Sequence, residues 1–170
     1  SVEITDGATF TIDPENSSNW IDIKSSGKNA FTIKPQHNWS LDQTRQTVVN
    51  VISDFTQEAY PITIQQDKYV FSVTPSSQTV SFDEIAENAQ PHKVDVQCSG
   101  EWSLTKSDWI KVTDGINEIS GGKGNKSIYL TAKTDNPSTK SRPYSVKIVT
   151  GEHTKSLTGL QNAYIWKVTY

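Results

Sequence analysis

Asn19-Trp20-Ile21-Asp22-Ile23 and Asp108-Trp109-Ile110-Lys111-Val112 are the two stretches that decide the fold. Each places apolar side chains two residues apart, the period of a half-buried strand. The second stands 89 residues after the first, and other matches surround the pair. Val2 to Phe10 matches Val94 to Trp102 at 92, Arg45 matches Arg142 at 97, and Val49 and Val51 match Val146 and Ile148 at 97. Gln66 matches Gln161 at 95, and Tyr69-Val70-Phe71-Ser72-Val73 matches Tyr164-Ile165-Trp166-Lys167-Val168 at 95. Offsets that drift between 89 and 97 and change at loops describe two modules with loop insertions.

The expected fold is all-β: two tandem immunoglobulin-like antiparallel β-sandwich modules, residues 1–68 and 69–163. Turn-forming clusters punctuate the strands at Asp13 to Asn19, Ser25 to Asn29, Ser76 to Gln78, Gly121 to Asn125 and Asn136 to Thr139. Asp83 to Asn88 reads as a short helix or a polar loop. Nothing ahead of Val2 corresponds to Tyr69–Phe82, while residues 164–170 read as the opening strand of a third module, with Trp166 as a strand residue. Head-to-tail donation of residues 164–170 into a neighbour's first module is one consequence; a module that closes with fewer strands is the other.

The 170 residues carry a net charge of -3, with 34% hydrophobic and 21% charged side chains. That balance fits a globular domain and provides no basic field for nucleic acid. No apolar run is long enough for membrane insertion as a helix. Methionine is absent, so Ser1 is expected to be an internal residue of a mature form or fragment. With one cysteine, Cys98, no intrachain disulfide can form, and its alternation with Val94 and Val96 makes it an inward-facing, inert thiol.

The residues Trp102, Trp109-Ile110-Lys111-Val112, Asn136 with Arg142, and Gln161 occur in the order seen in the BACON family. In the first module the same order reads Phe10, Trp20-Ile21-Asp22-Ile23, Asn38 with Arg45, and Gln65 or Gln66. The chain resembles that family over essentially its whole length; Pro143 after Arg142 departs from the pattern. The resemblance implies a bacterial cell-surface or secreted protein, lipid-anchored in some forms, in which such modules accompany glycan-degrading enzymes. It implies carbohydrate binding or a spacer role between other domains of the parent protein.

The repeat sorts the aromatics. Trp20 and Trp109 share one strand position and Trp102 stands at that of Phe10, so all three are expected in cores. Trp39 falls opposite Asn136 in a loop, Gln36-His37-Asn38-Trp39-Ser40-Leu41-Asp42. With His37, Asn38 and Asp42, and with help from Tyr60, it offers a stacking platform for a glycan or mucin sugar ring. The other reading folds Trp39 back over a neighbouring strand.

No cofactor, metal or catalytic group is expected. His37, His92 and His153 lack metal-ligand spacing, and Asp83, Glu84 and Glu87 lack the glycine and closing glutamate of a calcium loop. Gly121-Gly122-Lys123-Gly124-Asn125-Lys126 lacks the ending of a phosphate cradle and reads as a long hairpin turn. The connection at Asp67-Lys68 is too short for free tumbling.

Overall fold

Val94, Val96 and Cys98 line the buried face of one strand in the computed structural model, which describes residues 2–3, 9–13, 18–25, 30–75 and 80–166. Its contacts divide the chain into two units, Ser1–Tyr69 and Val70–Tyr170. Both units are built from β-sheets whose strands pair antiparallel with one exception, and the all-β expectation holds.

The first unit contains β1 (Val2–Glu3), β2 (Phe10–Ile12), β3 (Ile21–Ser25), β4 (Ala30–Pro35), β5 (Arg45–Ser53) and β6 (Ala59–Gln66). They form two sheets, β1-β4-β3 and β2-β5-β6. Trp20, Ile21 and Val49 are buried between them, with Ile12, Ile23, Ile33 and Ile64 packed around. Phe10 meets Phe31 across the layers at 5.4 Å. Side chains alternate along each strand, so one face of each sheet supplies this core and the other meets water.

The second unit contains β7 (Phe71–Thr74), β8 (Val80–Phe82), β9 (His92–Cys98), β10 (Glu101–Lys106), β11 (Ile110–Thr113), β12 (Gly121–Lys123), β13 (Lys126–Ala132), β14 (Arg142–Thr150) and β15 (His153–Gln161). Its sheets run β11-β13-β9-β7 and β12-β10-β14-β15-β8, with β8 parallel to β15 and every other pair antiparallel. Ile110, Val112, Ile128, Leu130, Val146 and Ile148 are fully buried. The ladder between β10 and β14 stops at Lys106↔Val146, so Pro143, which has no amide hydrogen, lies beyond it.

Strand registers in the two units correspond residue by residue. Ile23 pairs with Ile33 as Val112 pairs with Leu130, Val2 with Phe31 as Val94 with Ile128, and Arg45 with Gln66 as Arg142 with Gln161. In the second unit β7 also pairs beside β9, β8 beside β15 and β12 beside β10; among the described residues of the first unit no strand pairs in those places.

Several local expectations need correction. Gly121 to Asn125 is not one long turn, because Gly121–Lys123 forms β12 and pairs with β10. The glycines are there for a packing reason. A Cβ on Gly122 would stand 2.5 Å from the Trp102 ring, and one on Gly121 would meet the Trp102 carbonyl oxygen. Of the two readings of Asp83 to Asn88, the structure takes the loop, with one 3₁₀ turn at Ala86–Asn88. Tyr164 to Trp166 pairs with no strand among the described residues, and Trp166 is 76% exposed. Residues 167–170, the Ser76 to Gln78 cluster, and parts of the Asp13 to Asn19 and Ser25 to Asn29 clusters lie outside the described residues.

Candidate functional site

The loop from Gln36 to Thr44 joins β4 to β5 and carries four of the five residues expected to bind a sugar. Its shape is fixed by Asn38. The Asn38 Nδ2 donates to the carbonyls of Gln43 and Asp67, both at 3.0 Å, and its Oδ1 accepts from the Ser40 amide at 3.3 Å. Three of the amide's hydrogen-bonding positions are therefore engaged by backbone, and Asn38 is a loop staple. Ser40 Oγ accepts from the Gln43 and Asp42 amides, which places Asp42 on the exposed side of the turn.

Trp39 is half-buried. Its ring lies 4.9 Å from Tyr69, itself only 9% exposed, and 5.0 Å from His37, which stacks on it at 25°. The aromatic surface of Trp39 is thus shared with two neighbours of its own unit. His37 is exposed. Tyr60 is not part of this group. It lies on β6 opposite Val51, six residues from Gln66, a separation of about 20 Å along the strand. Its hydroxyl donates to Glu58 at 2.8 Å.

Trp39 also stands opposite a different residue than expected. Asn136 Nδ2 donates to the carbonyls of Lys140 and Asn162 at 2.9 and 2.8 Å, and its Oδ1 accepts from the Ser138 amide at 3.3 Å. Asn38 therefore corresponds to Asn136, Ser40 to Ser138, and Trp39 to Pro137. The first loop has one more residue between its Asn and its Arg, and that residue displaced the alignment.

The arrangement common to both units is a lock around an arginine. Arg45 lies 4.4 Å over the Trp20 ring, donates from Nε to Gln66 Oε1 at 2.8 Å, and donates from Nη2 to the Gln36 carbonyl at 2.5 Å. Arg142 lies 4.3 Å over the Trp109 ring, donates from Nε to Gln161 Oε1 at 2.7 Å, and donates from Nη2 to the Thr134 carbonyl at 2.5 Å. A planar guanidinium can stack on an indole while its edge donors hold a glutamine and a loop carbonyl. Partial burial lowers the pKa of Arg142, but a guanidinium remains a cation at neutral pH. Sequence reading singled out these Asn, Arg and Gln residues as recurring. It did not show that they touch, since about 20 residues separate each Arg from its Gln.

Gln161 is fully buried, and its Nε2 also donates to the carbonyls of Asp83, Glu84 and Thr134. It ties the segment after β8 to the lock. Cys98 is buried as expected, with Sγ 3.5 Å from Thr150 Oγ1. Trp20 and Trp102 are buried, and Trp109 is half-buried, edge-on to Tyr144 at 5.8 Å. Among the described residues, no cluster of three or more His, Cys, Asp or Glu side chains could hold a metal ion. No helix among them is long and apolar enough to cross a membrane.

No family model and no curated protein matches this chain. Among solved structures, a Bacteroides ovatus xyloglucanase is similar over 56% of this chain at 18% identity with a TM-score of 0.46, and the chain spans 19% of that protein. Domains 4 and 5 of the S-layer protein SbsC are similar over 93% of this chain and 72% of theirs, at 13% identity and a TM-score of 0.46. A Bacteroides thetaiotaomicron protein is similar over 58% of this chain and 90% of its own, at 13% identity and a TM-score of 0.34.

Proposed function

We propose that this chain is a non-catalytic arm of a cell-surface or secreted protein, made of two copies of one immunoglobulin-like module that act as spacer and protein-interaction elements. The observation that carries this reading is the lock. The side chains that recur in both units, Trp20 and Trp109, Asn38 and Asn136, Arg45 and Arg142, Gln66 and Gln161, hold one another and the backbone. What the two units share therefore serves to rebuild the same fold. The connection between them supports a spacer. The Tyr69 amide donates to the Ser40 carbonyl inside the first unit, and the Val70 amide to Ser99 Oγ inside the second.

Carbohydrate binding is the second reading, favoured by the pairing of exposed His37 with Trp39 in one loop. A screen against glycan arrays and mucin, run on the chain beside Trp39→Ala, separates the two. The spacer reading expects retention by neither protein. Retention lost in Trp39→Ala, with an unchanged melting temperature, would replace it with sugar recognition by His37, Trp39 and Asp42.

A further inference from the structure

The hairpin between β5 and β6 differs from its counterpart between β14 and β15. The offset between the units is 97 at Ser53 and Thr150 and 95 at Ala59 and Thr154, so the first hairpin is two residues longer. The second turns through Gly151 and Glu152, with Gly151 at a φ of 49°. The first turns through Asp54 to Glu58, and there Gln57 takes a φ of 59°, in the left-handed region that disfavours a residue with a Cβ. What the longer turn presents is Phe55, which is 90% exposed. Tyr60, the second residue of β6, is 54% exposed.

Hydrogen bonds hold the turn in one shape. The Gln57 amide donates to the Ser53 carbonyl at 2.8 Å, and its Nε2 donates to the Asp54 carbonyl at 3.0 Å. The Ser53 amide donates to the Glu58 carbonyl at 3.0 Å, and the Thr56 amide to Ser53 Oγ at 3.2 Å. Asp54 ties the tip to the neighbouring strand, its amide donating to the Thr9 carbonyl and its Oδ1 accepting from Thr11 Oγ1 at 2.8 Å. A turn already ordered gives up little freedom when its ring is covered, so Phe55 is preorganised for contact. The second unit closes the same hairpin with no aromatic side chain in its turn, so the fold does not require one there.

We propose that this tip docks the first unit to a protein partner that offers an apolar socket for the Phe55 ring, rimmed by Lys and Arg side chains. The charge of the tip selects that rim. From Gln46 to Gln66 the only charged residues are Asp54 and Glu58, both carboxylates. A basic rim meets them with opposite charge, and guanidinium groups also stack on exposed aromatic faces. A second copy of this chain is a poorer occupant, since two such tips meeting ring to ring bring like charges together. A bilayer is poorer still, because burying Phe55 in it draws Asp54 and Glu58 out of water. The docking role rests on the reading of the chain as an arm that makes protein contacts.

Selection from a displayed library of three-helix domains randomised on one face, with the 170-residue chain as bait, tests this. Enriched faces should combine aliphatic residues with Lys and Arg. Their affinity should fall roughly tenfold or more on Phe55→Ser. It should fall about twofold to threefold on Glu58→Gln, which keeps an acceptor for the Tyr60 hydroxyl and removes the charge. Ile116→Ser, at a site 88% exposed in the second unit, should change it less than about twofold. All three substitutions fall on exposed side chains, so the melting temperature should not move. Absence of enrichment would overturn the proposal, as would binders indifferent to Phe55→Ser or equally weakened by Ile116→Ser. Retention on phosphatidylcholine vesicles that Phe55→Ser abolishes would do the same. The glycan screen reads Trp39, so sugar retention there would overturn the arm reading, whereas a failure at Phe55 would leave a plain spacer.

Discussion

β15 of the second unit carries Gly159 where β6 of the first carries Ile64, and the facing residue changes in step: Tyr144 on β14, Thr47 on β5. One unit fills the corner of its sandwich with an aromatic ring and covers it with a strand. The other fills it with an aliphatic side chain, and among the described residues no strand pairs with β6 on its side away from β5. In the first unit Thr47 Oγ1 accepts from Ser18 Oγ at 2.9 Å; in the second the Tyr144 ring packs 5.4 Å from Phe82 of β8. The lesson is that the side chain at this corner of the sheet decides whether a strand can lie in the β8 position. Either solution is compatible with the same arginine lock next door.

The largest effect should come from forcing one solution onto the other unit. Gly159→Ile places a side chain against the Val80 carbonyl and the Tyr144 ring, where the backbone cannot give way. The second unit should lose about 3 kcal/mol or more in urea unfolding, with the first unit's transition unchanged. A near-neutral result would show that β8 is dispensable to the second unit.

A smaller asymmetry is expected at the glutamines. Gln161→Ala removes the donor to the Asp83 carbonyl and the acceptor for Arg142 Nε in a fully buried site, while the Glu84 carbonyl keeps the Asn136 amide, and should cost about 2–3 kcal/mol. Gln66→Ala removes the contact with Arg45 at a half-buried position and should cost about 1 kcal/mol or less. Equal losses by calorimetry would mean that β8 adds nothing to the lock.

The smallest effect separates the ring of Tyr144 from its hydroxyl, which is buried and has no hydrogen-bond partner among the described residues. Tyr144→Phe keeps the ring and should stabilise the second unit by about 1 kcal/mol. Burial pushes the Tyr144 pKa up to about 12 from 10.0. The folded state therefore holds its proton where the unfolded state has lost it, and stability present below pH 10.0 falls as pH rises toward about 12. In Tyr144→Phe that alkaline slope should be shallower, as read from melting temperatures across the range.

Much of this comparison was legible in the sequence. The Trp-Ile-x-Ile/Val strands and their drifting offsets reappear as corresponding ladder registers, because apolar alternation fixes which face a strand buries. What stayed hidden depends on contacts remote in sequence. Gly121 and Gly122 read as a turn because glycine favours turns, yet it is the indole of Trp102 that excludes a Cβ there. Asn38 looked available to a ligand until Gln43 and Asp67 came within reach of its amide. Tyr60 looked like a partner for Trp39 because proximity along the chain says nothing of which end of a strand a residue occupies.

Whether one module is closed in two different ways is tested most directly by residue-resolved amide hydrogen exchange in dilute solution. Asn162 donates to the Phe82 carbonyl at 2.9 Å, and Leu160 pairs with Ser81. Strong protection at Leu160 and Asn162, with rapid exchange at their counterparts Gln65 and Asp67, is the predicted result. Comparable protection at both pairs would mean that a strand covers β6 as well, and would contradict the role given to Ile64.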